Sequence, residues 1–288
     1  MARNDDIPQN QVIYHKGTHT VEYIDGKIVK SGEDFKIYEA LSLIFINDNT
    51  EIPVPKVRSI HYGDKRLDVR YDGEGKSTNI HLKNGKVFER KNDEQGLPIL
   101  VHWKNDQVDK ITMDFVEGKA LDMVWMDFTK AQQGVLAEDL RRYVTELRKL
   151  KGTYIGALND GPARIISNFQ QLKEVGPFNS RKEFNSSLSE NSVATMICPS
   201  QDDSSQEDDS SQDDDPPQKH EDFFFTHGDI VPRNILVNGQ GKITALVDWE
   251  FAGYYPQYWE YSKASRDPTT GWKNFLCNEV FCEKEDWV

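Results

Sequence analysis

The sequence predicts a two-lobed α+β fold, in which a small β-rich lobe with one helix precedes a larger, mostly helical lobe. Short strand-forming segments separated by turns dominate the chain up to about Val108. The later half contains a long helical stripe of apolar residues and two apolar strands that run into acids or glycines. A small sheet lobe followed by a helical lobe fits a ligand cleft between the two.

The first lobe begins with three predicted strands in QVIYHKGTHTVEYIDGKIVKSG, joined by turns at Lys16-Gly17 and Asp25-Gly26. The segment SGEDFKIYEALSLIFIND then predicts a helix, which Ser31 caps together with Asp34 three residues later. The apolar residues that fall at helical spacing in this segment are Phe35, Tyr38, Leu41 and Phe45.

The rest of the first lobe is predicted to be extended. Two prolines give TEIPVPKVRSI an extended path that continues as a strand. The segment TNIHLKNGKVFERK predicts a hairpin turned at Asn84-Gly85, and we interpret residues 63–109 as an inserted hairpin region. The segment DKITMDFVEG predicts one more strand, which leaves this lobe.

The second lobe opens with a predicted core helix that ends near Gly152. The residues of its apolar stripe are Leu136, Leu140, Tyr143, Val144, Leu147 and Leu150. Residues 200–217 hold eight acidic residues and no basic or apolar ones, which predicts a disordered insert. A solvated loop is favoured there over a phosphorylation tract. Two apolar strands follow, in DFFFTHGD and KITALVDWEFAG.

Composition excludes several classes of protein. The net charge of -13 over 288 residues argues against a nucleic-acid-binding protein, which needs a basic face. No apolar run approaches the roughly 18 residues of a membrane span, and the first residues lack the apolar core of a secretory signal. Cys198, Cys277 and Cys282 have no metal-ligand spacing and predict free thiols in a reducing cytosol. We therefore expect a cytoplasmic protein without a membrane or nucleic-acid partner.

The segment FFFTHGDIVPRNILV places polar residues between two strand-forming runs. Pro232 excludes helix at Val231, which predicts an irregular loop that can aim Asp229 and Asn234 at one point. Asp248 stands at the end of the next apolar strand. Asn234 and Asp248 offer hard oxygen ligands suited to Mg²⁺, which leaves Asp229 as a base for a hydroxyl proton.

His227, in the same segment, is interpreted as a buried and hydrogen-bonded structural residue rather than a catalyst. The order H-G-D, then an asparagine five residues later, then D-W-E after an apolar strand, matches the order of base and metal ligands in protein kinases. The combination therefore predicts a phosphoryl-transfer site.

The block HGDIVPRNILV, followed by ALVDWEFAGYYPQYWEYSKA, closely resembles the aminoglycoside phosphotransferase/choline kinase-like family, in particular the branch abundant in filamentous fungi. A weaker likeness over KIVKSGEDFKIYEA, IPVPKV, ITMDFVEGKAL and IGALNDGPA extends it to most of the chain. The resemblance implies the bilobal protein-kinase-like fold. It also implies transfer of the ATP γ-phosphate to hydroxyls or amines of a small-molecule acceptor.

The resemblance further implies roles for residues of the second lobe, residues 121–288. Asp229 takes the position of the catalytic base. Asn234 and Asp248 take the metal-ligand positions, and Glu250 assists them in D-W-E.

For the nucleotide-binding lobe, residues 1–112, the resemblance implies that Lys30 reaches the α/β-phosphates and that Glu39 pairs with it. The segment MDFVEG matches the hinge, residues 113–120. The hinge residues that this implies for adenine are Met113 behind the ring, with the Asp114 carbonyl and the Val116 N–H at its edge.

Two functional hypotheses follow. The first is an ATP- and Mg²⁺-dependent small-molecule kinase. The second is a catalytically inactive pseudokinase, a nucleotide- or partner-binding module of the same fold, which the long segment 63–109 and the short chain after YWEYSKA favour and the intact motif residues oppose. A protein kinase is disfavoured, because HGD and DWE stand in place of H-R-D and D-F-G and no A-P-E follows.

Overall fold

The computed structural model describes residues 10–33, 35–83, 86–92, 98–102, 106–191 and 222–281. Several sequence predictions lie outside these residues: Asp34, the turn at Asn84-Gly85, the acidic segment 200–217, Cys198 and Cys282. The described chain is a mixed α/β fold with a β-rich N-terminal sheet, as the sequence predicts. The division at residues 112 and 120 stays a prediction.

A six-stranded antiparallel sheet forms the first part of the molecule. The strands of this part are β1 (Gln11–Lys16), β2 (His19–Ile24), β3 (Lys27–Ser31), β4 (Val57–Tyr62), β5 (Lys65–Asp68), β6 (Ile80–Lys83), β7 (Lys86–Asn92), β8 (Pro98–His102) and β9 (Lys110–Asp114). The sheet order is β1-β2-β3-β9-β4-β5, whereas β6, β7 and β8 form a separate three-stranded sheet. The predicted last strand, β9, is therefore central, between β3 and β4.

The turns and strands predicted at the start of the chain are confirmed. β1, β2 and β3 form two hairpins, in which Gly17 and Gly26 have φ of 61° and 76°. This left-handed backbone is the conformation that glycine adopts without strain. The proline-rich segment leads into β4, and the pairing of Lys83 with Lys86 confirms the predicted hairpin of β6 and β7. The strand β8, which pairs with β7, has no counterpart among the predictions.

The first helix, α1 (Tyr38–Asn49), begins seven residues after the predicted Ser31 cap, so that prediction is wrong. Ser31 is the last residue of β3 and pairs with Thr20 and Lys110, which uses its backbone in the sheet. The residues that follow pair with the chain before β9, since the Ile37 N–H donates to the Asp106 carbonyl at 2.8 Å. Tertiary hydrogen bonds thus keep these residues out of the helix, so the helix begins later in the chain than its local spacing of apolar residues predicts.

The second part of the molecule combines four helices with eight short strands within the described residues. The helices are α2 (Lys130–Lys149), α3 (Arg181–Glu190), α4 (Trp259–Ala264) and α5 (Trp272–Phe275). The strands are β10 (Lys119–Ala120), β11 (Lys151–Gly152), β12 (Ala163–Ile166), β13 (Leu172–Val175), β14 (Phe223–Thr226), β15 (Ile235–Val237), β16 (Ile243–Leu246) and β17 (Gly253–Tyr255). They pair as β10-β15-β16, β11-β14-β17 and β12-β13. None of the described helices is long and apolar enough to cross a membrane.

The predicted core helix is confirmed as α2. Its stripe residues Leu136, Leu140 and Leu147 are buried, and the helix leaves regular geometry at Leu150. Thr129 begins it with a capping box, because its hydroxyl accepts from the Gln132 N–H while the Gln132 side chain accepts from the Thr129 N–H.

Aromatic side chains fill the core next to the predicted site. Trp249, Tyr255 and Trp259 are buried, and the rings of Tyr255 and Trp259 stack with centroids 5.3 Å apart. Phe184 of α3 packs edge-on against Trp259 with a centroid distance of 5.0 Å. These residues are core, which fixes the position of α4 beneath the loop after β14.

Candidate functional site

The loop between β14 and β15 brings Asp229 and Asn234 into direct contact. Val231 is extended, and Pro232 to Asn234 form a single 3₁₀ turn where an irregular loop was predicted. The turn directs the Asn234 amide back toward the loop start. Its Nδ2 donates to the Asp229 carboxylate at 2.7 Å and to the Asp229 carbonyl at 3.0 Å. The Asp229 carboxylate is thereby held in one orientation.

Asp248 reaches the same place through strand pairing. In the antiparallel pair β15-β16, Ile235 lies opposite Leu246, and the Val247 N–H donates to the Asn234 carbonyl at 3.0 Å. Asp248 follows directly, with a left-handed φ of 67°. That conformation is uncommon for a residue with a side chain and is often found at functional sites.

Lys30 connects Asp248 to the N-terminal sheet. Its Nζ lies 2.7 Å from a carboxylate oxygen of Glu39 and 2.8 Å from one of Asp248. Burial alone would lower the pKa of Lys30, but the two carboxylates raise it above its usual value. Burial raises the pKa of Glu39, although the Lys30 ammonium opposes this effect. Lys30 is therefore a fixed positive charge at the junction of the two parts of the chain.

His227 has the structural role that the sequence analysis assigned to it. It is fully buried, and its Nδ1 lies 3.2 Å from the Asp229 N–H while its Nε2 lies 3.0 Å from the Val247 carbonyl. Nδ1 must accept and Nε2 must donate, so the ring is neutral with its proton on Nε2. The imidazole thus links the Asp229 loop to the chain before Asp248.

Burial lowers the pKa of His227 below its usual value. Because the pKa of this histidine is lower in the folded than in the unfolded state, the unfolded state is protonated at a higher pH. The free energy of unfolding therefore decreases as the pH falls through about 6.5, the pKa of the unfolded state. Between about pH 7.5 and 5.5, we expect the free energy of unfolding of the unmodified protein to fall by about 1 kcal/mol more than that of His227→Gln. Urea unfolding of both proteins at the two pH values measures this difference. His15→Gln, at an exposed histidine, is the control. If the free energy of unfolding falls equally in His227→Gln and in the unmodified protein, His227 is not a buried neutral histidine.

Glu260 of α4 is a functional candidate that sequence reasoning missed. Its two carboxylate oxygens accept from the backbone N–H groups of His227, at 2.6 Å, and Gly228, at 3.0 Å. Burial raises the pKa of Glu260 to about 7, against the effect of these two donors. Glu260 anchors the start of the Asp229 loop from 33 residues away. The sequence marks Glu260 only as an acid between Trp259 and Tyr261, in a segment rich in aromatic residues.

Gly228 is required by space as well as by its φ of 75°. A Cβ at this position would lie 2.6 Å from the Phe251 carbonyl oxygen, which is closer than real Cβ atoms approach. The glycine therefore lets the Asp229 loop rest directly on the segment after Asp248.

Glu250 and the hinge residue Asp114 each contact cationic side chains in the structure. Glu250 accepts from the Arg164 guanidinium at 3.1 Å. Asp114 accepts from Lys27 at 2.6 Å and from Arg58 at 2.9 Å, which holds the end of β9 to its neighbours. The remaining two hinge residues are the buried Met113 and the half-buried Val116. Their roles toward metal and adenine stay predictions.

Two oxygen atoms at the site suit a hard cation. Asn234 Oδ1 and Asp248 Oδ2 accept no hydrogen bond from any residue that the structure describes, although their partner atoms in the same side chains are engaged. Across those same residues, no group of three His, Cys, Asp or Glu side chains is placed to hold a metal ion. An amide and a single carboxylate are the partial ligand set that Mg²⁺ takes beside phosphate oxygens.

Solved structures with a related outline include aminoglycoside phosphotransferases. The ternary complex of streptomycin, ATP and APH(2")-IIa has a TM-score of 0.49 at 9% identity, covering 98% of this chain and 80% of that one. The apo form of a thermostable mutant of APH(4)-Ia has a TM-score of 0.47 at 11% identity, with coverages of 94% and 78%. A search of curated proteins found no match.

The family comparison covers the site directly. The phosphotransferase enzyme family, APH, matches residues 112–276, which is more than half of the chain. The matched range contains Asp229, Asn234, Asp248 and Glu260. The chain therefore belongs to the phosphotransferase enzyme family, APH.

Proposed function

We propose that this protein is an ATP- and Mg²⁺-dependent phosphotransferase that moves the γ-phosphate to a hydroxyl or amine of a small molecule. We further propose that it belongs to the branch of the aminoglycoside phosphotransferase/choline kinase-like proteins abundant in filamentous fungi. The observation that carries the activity is the connected set of Lys30, Glu39 and Asp248 on one side and Asp229 and Asn234 on the other. Phosphoryl transfer asks the protein mainly for such positioned charges.

In this proposal the nucleotide lies along the N-terminal sheet. Lys30 contributes positive charge to the α/β-phosphates, and Glu39 keeps its ammonium aimed at them. Met113 packs behind the adenine, while the Asp114 carbonyl and the Val116 N–H hold its edge. The buried position of Met113 on the central strand β9, one residue before Asp114, supports this arrangement.

The metal would be held by Asn234 Oδ1 and Asp248 Oδ2, with Glu250 assisting if it leaves Arg164. When bound, Mg²⁺ neutralises the charge that develops on the transferring phosphate oxygens. The Lys30 contact lowers the pKa of Asp248 despite its burial, which supports an ionised carboxylate at this position.

Asp229 acts on the acceptor. The acceptor oxygen forms a bond to the γ-phosphorus, and the bond from that phosphorus to the β–γ bridging oxygen breaks, releasing ADP. The Asp229 carboxylate takes the hydroxyl proton, which is later released to solvent. Asn234 orients this carboxylate through the 2.7 Å hydrogen bond, so its role includes positioning as well as metal binding.

Lys30→Met tests the nucleotide side of the proposal. We expect it to weaken ATP binding about 10- to 100-fold, the loss for a charged hydrogen bond, and to lower phosphotransfer at least as much. Thermal shift with ATP, with and without Mg²⁺, measures binding, and ³²P transfer from γ-labelled ATP to a metabolite extract measures activity. The exposed Lys65→Met is the matched control.

Nucleotide binding by the unmodified protein without any label transfer would favour the second hypothesis, a binding module of this fold. Unchanged ATP binding in Lys30→Met would contradict the assigned role of Lys30.

A further inference from the structure

Three cationic side chains, those of Arg233, Lys263 and Arg266, lie on the Asp229 loop and on the chain at and after α4, which contacts that loop. Arg233 lies on the same loop, with its Nη2 2.7 Å from the Asp229 carboxylate. Lys263 is placed by α4, and Arg266 follows just beyond that helix. Glu260 and Lys263 are three residues apart on α4 and so share one side of it, and the charge of Arg266 acts on Lys263. Glu260 contacts the start of the Asp229 loop, which places that side of α4 next to Asp229.

The carboxylates in this region already have hydrogen-bond or ion-pair partners other than Lys263 and Arg266. The Arg233 guanidinium bridges Asp229 and the largely buried Asp267, with 3.1 Å to the latter. The two Glu260 oxygens are taken by the N–H groups of His227 and Gly228. Neither Asp267 nor Glu260 has a hydrogen bond or ion pair with Lys263 or Arg266 in the described part of the chain.

Lys263 has no carboxylate within ion-pair distance among the described residues. Its Nζ instead lies over two aromatic rings, 5.6 Å from the centroid of Phe251 and 5.8 Å from that of Trp259. Burial lowers the pKa of Lys263 to about 8, although Asp229 opposes this effect. The ammonium is thus held beside Asp229 on a rigid aromatic support.

Arg266 is a second cation without a described partner. Its Nη2 is buried and has no hydrogen-bond partner among the described residues, and burial lowers the pKa of its guanidinium. Arg266 also acts electrostatically against Lys263, so two like charges lie close together. Buried donors and neighbouring like charges are costly unless an anion joins them.

We propose that Lys263 and Arg266, beside Arg233, form an anion subsite for the acceptor, so that the acceptor is a small molecule with a carboxylate or phosphate group. This inference rests on the proposed phosphotransfer function and specifies its substrate class. The same residues would repel a cationic acceptor. The anionic group would sit on Lys263 and Arg266 and place a hydroxyl near Asp229.

The nucleotide phosphates are a second source of the same chemistry, but the structure favours the acceptor. Lys30, the cation proposed for the nucleotide phosphates, contacts Glu39 and Asp248. The charges that oppose the lowered pKa of Lys263 are those of Asp229, which is proposed to act on the acceptor, and Glu260. Lys263 is thus associated with Asp229, and Lys30 with Asp248.

Inorganic phosphate, titrated calorimetrically into the full chain with saturating AMP-PNP and Mg²⁺, tests the subsite without turnover. We expect the unmodified protein to bind phosphate, and Lys263→Met and Arg266→Gln each to bind it about 10- to 100-fold more weakly. Methionine keeps an unbranched side chain on Phe251 and Trp259, so a loss reports the charge. The exposed Lys149→Met is expected to bind like the parent.

Three results overturn the proposal: no phosphate binding by the unmodified protein, binding by both variants that is as tight as in the unmodified protein, or, in a parallel titration without AMP-PNP, phosphate binding that is seen only there. The last result would move the anion to the nucleotide site.

A labelling experiment then tests the acceptor class. A metabolite extract is separated by ion exchange into anionic, neutral and cationic fractions, and each receives the protein with γ-³²P ATP. We expect label in the anionic fraction only. A labelled acceptor from the neutral or cationic fraction overturns the inference. Failure of the whole extract to take label contradicts the proposed function instead, and phosphate binding still decides whether the subsite exists.

Discussion

Replacing Asp229 by asparagine is expected to lower kcat for phosphotransfer by about 10²- to 10⁴-fold, the usual contribution of a general base. The amide keeps the shape of the side chain but cannot take the acceptor proton. It would also turn its NH₂ toward Asn234 or Arg233, which now donate to the carboxylate at 2.7 Å each. ATP binding should change little, because Asp229 is assigned to the acceptor and not to the nucleotide.

The measurement is ³²P transfer to the acceptor fraction, with ATP binding followed in parallel by thermal shift. Asp68→Asn, an exposed residue of β5, carries the same change of charge far from the loop and should behave as the parent. Equal kcat in Asp229→Asn and the parent would remove Asp229 from the chemistry.

Glu260→Ala is expected to have the largest effect on stability, lowering the free energy of unfolding by about 2–6 kcal/mol. Alanine leaves two buried N–H groups, those of His227 and Gly228, without their acceptors. Each unsatisfied buried donor costs about 1–3 kcal/mol. The same change frees the start of the Asp229 loop, so activity should fall even where the protein stays folded.

Urea unfolding and ³²P transfer below the melting temperature separate the two effects. Glu138→Ala, an exposed acid on α2, is the control for the loss of one carboxylate. Glu260→Gln keeps one acceptor oxygen and should fall between the parent and the alanine variant. An unfolding curve of Glu260→Ala that matches the parent would show that the two backbone donors find other acceptors.

Local signals were sufficient for much of the fold. The first two hairpins and the hairpin of β6 and β7 follow from turn residues between strand-forming runs, and α2 follows from its apolar stripe. In each case the deciding contacts lie close along the chain. The start of α1 was misplaced because the preceding residues pair with the chain before β9, about 70 residues away, and no local pattern reports that pairing.

The contacts at the site likewise divide into those that the sequence predicted and those that it could not predict. Asp229 and Asn234 are five residues apart, and a proline-containing turn between two strands is enough to predict that they meet. Lys30 and Glu39 were assigned through the family resemblance, and their 2.7 Å contact agrees with the pairing that it implies. Glu260 and the cations after it could not be predicted, since α4 has only six residues and its orientation depends on the aromatic core beneath it.

The contact between Lys30 and Asp248 joins residues 218 positions apart. During synthesis on the ribosome, Lys30 emerges long before Asp248 exists. Of the two carboxylates that contact Lys30 in the structure, Glu39 alone is present for most of that time. The charge balance at the junction is therefore completed only after Asp248 has been added to the chain. A nascent chain holding the first sheet alone would carry the lysine–glutamate pair without Asp248.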